Sequence, residues 1–258
     1  MPENPKVDEI AKRLPELSPV QVDLIDDITK QLAKPPTYSR KLDSDLVSDG
    51  ILWSLGDSLR IHHCFSAEAF TKDRFEYALE RAANANGIKA ARAGRGNPGH
   101  DLTIGNTAYS LKSQANASIK DDFIHISKFM ELGKGTWTDK LEDLSGLRDR
   151  MFNHMKSYER IFTLRRLKPD GVNERYELVE IPKTLLLEAE HGEMSMMFDS
   201  TQMPKPGVCR VLANDGSLKF ELYFDGGTER KLQVRHIRKS LCTVHATWQF
   251  PANQPLAL

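Results

Sequence analysis

The residues best suited to chemistry in this chain lie in one short stretch, residues 98–112, with the sequence PGHDLTIGNTAYSLK. Two alternating runs on either side of a Gly-Asn-Thr segment predict a β-hairpin. Alternation of side chains along a strand divides the stretch into an apolar face and a polar face. The apolar face has Leu102, Ile104, Tyr109 and Leu111, and the polar face has Asp101, Thr103, Ser110 and Lys112.

The register of the hairpin depends on its turn. Asp101 pairs with Ser110 if the turn is Gly105-Asn106, and with Lys112 if it is Asn106-Thr107, but the acid and the amine share a face in both registers. Such a pair suits phosphodiester hydrolysis, because the carboxylate can hold a divalent cation while the ammonium orients or deprotonates a water. The same pair could also be an ordinary cross-strand ion pair on a solvated face.

This hairpin resembles the PD-(D/E)xK nucleases, the family of most type II restriction endonucleases. Their motif is an Asp, a spacer, and then an acidic residue two places before a Lys. Asp101 matches the first Asp, with His100 where proline is usual, and Lys112 matches the Lys. Ser110 stands where the second acid is expected. Gln114, two residues past Lys112 on the same strand face, could ligate through its amide oxygen or contact DNA, so Asp101, Lys112, Ser110 and Gln114 are the expected catalytic residues.

The resemblance implies that the missing carboxylate comes from a helix, as in some restriction enzymes with Ser at this place. Residues 71–87 have the apolar spacing of a helix, in which Glu76 and Glu80 lie four residues apart along one edge. We expect Mg²⁺ to be held by Asp101 and Glu80, which is closer to the hairpin in sequence, with Glu76 as the other candidate. The alternative is a solvated edge on which Glu76 pairs with Lys72.

The resemblance covers roughly residues 70–130, and a second helix is expected near its end. Ser118 would be the N-cap, and Asp121 and Asp122 would be acids of the first turn. Asp121, Asp122 and Glu131 are therefore further candidates for the missing carboxylate. Acids in the first turn are also explained by the helix dipole alone.

A basic, glycine-rich loop lies immediately before the hairpin. It contains three glycines and a proline within residues 93–99, so its backbone can approach a ligand closely. Arg92 and Arg95 add charge suited to phosphate. The order of helix, basic loop and Asp…Lys hairpin favours the nuclease interpretation over a simple ion pair.

The most basic strand expected in the chain covers residues 231–239. Val234 and, after a shift, Ile237 should point inward, and the polar side chains outward. Outward Arg, Gln and Lys side chains can reach base edges or phosphates, although an edge strand guarded by charge would have the same pattern. The expected DNA contacts are Arg92, Arg95, Gln233, Arg235, His236, Arg238 and Lys239.

Composition sets broad limits on the protein. Of 258 residues, 40% are hydrophobic and 28% charged, which is normal for a globular chain with a substantial core. Lys plus Arg equals Asp plus Glu at 36 each, so DNA binding would have to rely on local basic patches. The three cysteines form no CxxC pair, no apolar run is long enough for a membrane span, and the first residues do not resemble a signal peptide. We expect a cytoplasmic protein without a membrane partner.

These observations predict an α/β protein with a restriction-endonuclease-like core, in which helices flank a central mixed β-sheet. A helical segment (1–60) should precede a nuclease core (61–258) whose C-terminal half is β-rich and contacts DNA. The expected function is Mg²⁺-dependent, site-specific cleavage of double-stranded DNA by a homodimer, since two-fold symmetry suits a palindromic site. The alternatives are a mismatch or repair nuclease that nicks DNA, and a DNA-binding protein without catalysis.

Overall fold

The computed structural model describes residues 5–94, 99–115, 119–133 and 137–252. Its α-helices are α1 (Pro5–Arg13), α2 (Pro19–Ala33), α3 (Asp49–Phe65), α4 (Lys72–Ala85), α5 (Leu141–Met155) and α6 (Lys183–Leu187). Its strands are β1 (Thr37–Arg40), β2 (Ala90–Arg92), β3 (Leu102–Ile104), β4 (Thr107–Gln114), β5 (Phe123–Glu131), β6 (Arg160–Leu167), β7 (Asn173–Ile181), β8 (Glu193–Met196), β9 (Gly207–Leu212), β10 (Leu218–Asp225), β11 (Lys231–Arg238) and β12 (Thr243–Pro251). Among the described helices, none combines the length and the apolar character that crossing a bilayer requires.

Two β-sheets organise the fold. The larger has seven strands in the order β1-β12-β7-β6-β4-β3-β2, in which β4 and β6 run parallel and the other neighbours antiparallel. The smaller is antiparallel throughout, in the order β5-β11-β10-β9-β8. A central mixed sheet flanked by helices confirms the expected fold class.

The seven-stranded sheet has an apolar core on each face. α3 and α4 cover the face that contains Leu111 and Phe162. α5 and the five-stranded sheet cover the opposite face, which contains Ile161 and Val179. Because Leu111 points into the first core, its neighbours on β4 point towards the smaller sheet, and Lys112 is buried there. The polar face of the hairpin is therefore an internal layer and not a solvated surface.

The N-terminal region is helical, as expected, and is joined directly to this core. α2 begins with a capping box, in which Ser18 and Gln21 satisfy each other's backbone N–H groups. β1 extends the larger sheet beside β12. α3 crosses the boundary expected at residue 60 and buries Ile51 and Leu55 in the same core as the sheet. The structure has no break between a helical segment and the core at that position.

The prediction of a helix after the hairpin is wrong, because residues 123–131 form a strand, β5. Ser118, its expected N-cap, lies outside the described residues. Ile124 and Ile126 alternate with more exposed neighbours and are buried against β11. Pairing with a strand far along the chain therefore overrides the weak helical signal.

The β5–β11 ladder is interrupted in two places. β5 has two more residues than β11 between Ile126 and Met130. β11 has one more residue than β5 between Val234 and Ile237, and His236 takes a φ of 56° there. Val234 and Ile237 both point into the second core, which confirms the shift that the sequence indicated.

Candidate active site

The hairpin positions Asp101 with backbone and side-chain hydrogen bonds. Its turn is Gly105-Asn106, with Gly105 at a φ of 60°, and the resulting register places Asp101 opposite Ser110. Oδ2 of Asp101 accepts hydrogen bonds from the backbone N–H of Leu111 at 2.7 Å and from the hydroxyl of Ser110 at 3.3 Å. Ser110 thus orients the carboxylate, a role that a serine can fill at the position of the missing acid.

A second carboxylate reaches Asp101 through a shared cation. Thr71 caps α4, and its hydroxyl accepts a hydrogen bond from the backbone N–H of Arg74. One residue into the helix, Nζ of Lys72 lies 2.7 Å from Oδ1 of Asp101 and 3.1 Å from Oε1 of Glu76. Burial raises the pKa of Glu76, although the ammonium of Lys72 opposes that shift. Asp101 and Glu76 therefore form the pair of acids at this site.

Glu80, which we expected to be the first choice, has a different partner. Its Oε2 lies 2.7 Å from Nε of Arg92, and its Oε1 accepts a hydrogen bond from the Arg92 backbone N–H at 3.1 Å. The Arg92 guanidinium also lies 3.3 Å from the ring centroid of Tyr77. Because Arg92 neutralises Glu80, the structure favours Glu76 over Glu80 as the second acid.

Lys112 is the buried lysine of the site. Its side chain passes Phe129 of the smaller sheet, with Nζ 5.5 Å from the ring centroid. Burial lowers the pKa of Lys112 from 10.5 to about 8, although the nearby charge of Asp101 favours the protonated form. A lysine with a pKa close to neutrality can exchange a proton with water at physiological pH, which an exposed lysine cannot do efficiently.

A cavity of about 270 Å³ gives access to these groups from the space between the sheets. It is lined by Lys72, Lys112, Ser113, Ile126, Ser127, Lys128, Phe129 and Met130. The irregular segment of β5 between Ile126 and Met130 forms its wall, and β-bulges are frequent beside active sites. Lys72 and Lys112 lie near the two carboxylates and can attract a phosphate group that the acids alone would repel.

The pair of acids fits a magnesium ion. Mg²⁺ is usually held by one or two carboxylates, with waters and substrate phosphates completing its coordination. Asp101 and Glu76 already converge on one cationic group, the ammonium of Lys72. Within the described ranges no three His, Cys, Asp or Glu side chains gather closely enough to form a larger metal cluster. The donor set therefore suits a site that is completed by the substrate.

Gln114 belongs to a buried polar network beyond the site. Its Oε1 accepts a hydrogen bond from Nε of Arg165 at 2.9 Å. Arg165 is fully buried, forms an ion pair with Glu177, and donates to the backbone carbonyls of Lys120 and Phe123 at 2.7 Å. The amide oxygen of Gln114 therefore supports the junction of the two sheets, and the catalytic role expected for it remains a prediction.

The three acids of the misassigned helix have other partners or are exposed. Asp121 pairs with Arg175 at 3.3 Å, and Glu131 pairs with Lys128 at 2.8 Å. Asp122 is exposed in the turn before β5. Glu76, and not one of these acids, shares Lys72 with Asp101.

The residues expected to contact DNA on β11 differ in how they are exposed. Gln233 is buried, donates to Asp225 at 3.1 Å and accepts from Nε of Arg235 at 3.0 Å, so it is less accessible than the outward position suggested. The guanidinium of Arg235 lies 3.5 Å from the ring centroid of Tyr223. His236 is exposed.

At the end of β11, Arg238 is half-buried, and Nζ of Lys239 lies 3.2 Å from a carboxylate oxygen of Glu177. Arg95 lies outside the described residues. The DNA contacts of this strand and of Arg92 remain predictions.

The structure adds three residues that sequence reasoning did not place at the site. Lys72 was considered only as a partner of Glu76, and Phe129 was given no role at the site. The hydroxyl of Tyr158 is buried without a hydrogen-bond partner in the described part of the chain. Burial, and then the charge of Asp101, raise the pKa of Tyr158. No spacing in the sequence connects this tyrosine to the hairpin.

Comparison with known proteins assigns the family. Residues 10–250 match the family model described as "SmaI: Type II site-specific deoxyribonuclease". The type II restriction enzyme SmaI of Serratia marcescens is 45% identical over 215 residues, which cover 83% of this chain and 85% of that enzyme. No solved structure matches the chain. The chain therefore belongs to the SmaI family of type II site-specific deoxyribonucleases.

Proposed function

We propose that this type II endonuclease cleaves DNA at the site formed by Asp101, Glu76 and Lys112, and that it does so with Mg²⁺. The observation that carries the proposal is the convergence of two carboxylates on one cation beside a buried lysine. The same arrangement supports membership of the PD-(D/E)xK nucleases, with Glu76 in place of the acid missing at Ser110.

In this proposal Asp101 and Glu76 would hold the ion, and its binding would replace their ion pairs with Lys72. A bound Mg²⁺ would offset charge on the phosphate and make a water more acidic. Leu111 and Ser110 fix the orientation of Asp101 through their hydrogen bonds. Lys112 orients the attacking water or takes its proton, since its lowered pKa allows it to be neutral in part of the population.

The water oxygen forms the new bond to phosphorus while the bond to the 3′ oxygen breaks. The product would carry a 5′-phosphate, as in the nucleases that the hairpin resembles. Lys72 and Lys128 line the same cavity as Lys112 and can stabilise the negative charge of the transition state. Each of these roles uses an atom that already faces the cavity or the carboxylates.

Cleavage of supercoiled plasmid DNA tests the proposal. Wild-type protein with Mg²⁺ should produce linear fragments of defined ends, and omission of the metal should abolish them. Asp101→Ala and Lys112→Ala should abolish cleavage while DNA binding, followed by fluorescence anisotropy, persists. Full cleavage by either variant would exclude this site. A nicked product without linear DNA would favour the repair-type alternative.

We further propose a C2 homodimer, because two symmetric sites would cut both strands of a palindrome. The helices α1 and α2 have apolar side chains exposed to solvent, among them Val7, Val20 and Leu24, and these could be covered by a second copy. Light scattering of the wild-type protein and of Val20→Glu/Leu24→Glu tests this, since the variant should have half the mass. A cytoplasmic location stays a prediction, which the three free cysteines support.

A further inference from the structure

A second cavity continues the cleft that contains Lys112. It has a volume of about 280 Å³ and is lined by Gln114, Ile119, Lys120, Phe123, Ile124, His125 and His236. The lining residues of the two cavities are neighbours on both strands: Ser113 and Gln114 on β4, and His125 and Ile126 on β5. The two cavities are therefore adjacent, and their linings meet at β4 and β5.

The backbone of β11 is adapted to this second cavity. His236 has a φ of 56°, in the left-handed region that non-glycine residues seldom occupy. It lies in the bulge where β11 has one more residue than β5. Bulges redirect side chains, and unfavourable backbone conformations are concentrated at functional sites. The result is an exposed imidazole that lines the cavity in the middle of an otherwise regular strand.

The polar groups of the second cavity are suited to an anion. Lys120 is exposed, and among the described ion pairs none includes its ammonium. His125 is half-buried and near enough to Arg235 and His236 for their charges to lower its pKa further, although burial is the main cause. The acids next to Lys120 in the sequence are Asp121, which is paired with Arg175, and Asp122. Imidazole and ammonium N–H groups bind phosphate oxygens well.

The spacing between the cavities matches the repeat of a nucleic-acid strand. Lys112 and Gln114 are two residues apart on β4, and this separation corresponds to ~6.6 Å along a strand. A single nucleotide spans a comparable length. A phosphate placed at Lys112 would therefore have its neighbour in the same strand near Gln114.

We propose that the second cavity binds the phosphodiester next to the scissile one, with Lys120, His125 and His236 as the residues that contact it. This inference rests on the proposed role of Lys112 at the scissile phosphate. The bulge at His236 then has a function, which is to aim its imidazole at the DNA backbone. The contact is to phosphate, so it should contribute to affinity for any sequence and not to the choice of site.

Substitution of His236 by glycine removes the imidazole and leaves the backbone conformation unchanged, so the two effects can be measured separately. Glycine adopts a φ of 56° without strain, so His236→Gly should retain the bulge and the stability of the fold. Binding of a fluorescent duplex, measured by anisotropy without metal, should weaken about 10-fold for His236→Gly and for Lys120→Gln. Lys89→Gln, a change of an exposed lysine immediately before the edge strand β2, is the matched control and should bind as wild type. Wild-type affinity of His236→Gly would overturn the proposal.

Substitution in the DNA identifies the phosphate. Fragment-end sequencing gives the cut position, and a neutral methylphosphonate is then placed at the adjoining linkage. The modified duplex should bind wild-type protein more weakly than the unmodified duplex does, and this loss should be smaller for His236→Gly, in which one of the three contacts is already absent. An equal or larger loss in His236→Gly, or a loss in these variants confined to the cleaved sequence, would overturn the phosphate contact.

The failure of the proposed function has a different signature. If Lys112→Ala still cleaved plasmid, the scissile phosphate would not lie at Lys112. The second cavity could then not be assigned to the phosphodiester next to it. If Lys112→Ala is inactive but His236→Gly binds normally, the proposed function stands and only the second cavity is wrong.

Discussion

Replacement of Lys112 by methionine should make the protein more stable and inactive. Methionine is similarly long, unbranched and apolar, so it can fill the space beside Phe129. Burial of the ammonium is unfavourable, and it therefore lowers the pKa of Lys112 from 10.5 to about 8. Each unit of pKa corresponds to about 1.4 kcal/mol, so the charge destabilises the fold by up to ~3 kcal/mol, and we expect a gain of ~1–3 kcal/mol at pH 7.

The pH dependence of this gain has a defined sign. At pH 7 lysine is charged in the unfolded chain and largely charged in the folded protein, so the whole cost applies. As the pH rises from about 8 towards 10.5, the folded protein loses the proton first and the cost disappears. The difference in unfolding free energy between Lys112→Met and wild type should therefore be largest at pH 7 and small at pH 10.

Urea denaturation followed by tryptophan fluorescence measures the difference, at one protein concentration and with equal slopes for both proteins. Lys89→Met is the control, because Lys89 is exposed and its substitution should change stability by less than ~0.5 kcal/mol. The reasoning is refuted if Lys112→Met is no more stable than wild type at pH 7, or if its advantage grows with pH. A stable, inactive variant would mean that the buried charge is retained for catalysis.

The remaining predictions concern acids and one buried arginine. Glu76→Gln should reduce plasmid cleavage by at least ~100-fold, whereas Glu80→Gln should retain most activity; equal rates would contradict the choice of Glu76. Hydrogen bonds from Arg160 and His245 outweigh the burial of Glu180 and lower its pKa from 4.5 to about 2. Its contribution to stability, up to ~3 kcal/mol, should therefore be lost as the pH falls from 4.5 to 2. The unfolding free energy of Glu180→Gln should depend less on pH in this range than that of wild type, and an equal dependence would contradict the prediction. Arg165→Met should lower stability by ~3–5 kcal/mol, because buried Glu177 would keep only Lys239 as a cationic partner and the carbonyls of Lys120 and Phe123 would lose their donor. Urea denaturation measures the loss, and a loss below ~1 kcal/mol would contradict the prediction.

Features that depend on neighbouring residues were predictable from the sequence. Alternation around Gly105-Asn106 defines the hairpin, and parity along β4 places Ser110 and Lys112 on the face opposite Leu111. The shift before Ile237 was visible for the same reason, since an apolar residue there breaks the two-residue period. These patterns are local, so they do not depend on how the sheets pack.

Features that depend on distant contacts were not predictable. Residues 123–131 form a strand because β11 pairs with them from a remote part of the chain. Glu76 and Glu80 lie one turn apart on α4, and the pair of Glu76 with Lys72 is local to that helix. Only the position of α4 beside the hairpin brings Asp101 to Lys72 and Arg92 to Glu80. The helix period fixes that Glu76 and Glu80 share an edge, but not which turn of that edge meets the carboxylate.

The central claim is that Asp101 and Glu76 hold a divalent ion beside Lys112. Calorimetric titration of Mg²⁺ into a complex with a duplex that contains the cleaved sequence tests it most directly, on a Lys112→Met background that keeps the DNA intact. The account predicts that binding is lost when Asp101→Asn or Glu76→Gln is added and is retained when Glu80→Gln is added. Undiminished Mg²⁺ affinity in the Asp101→Asn and Glu76→Gln variants would contradict it.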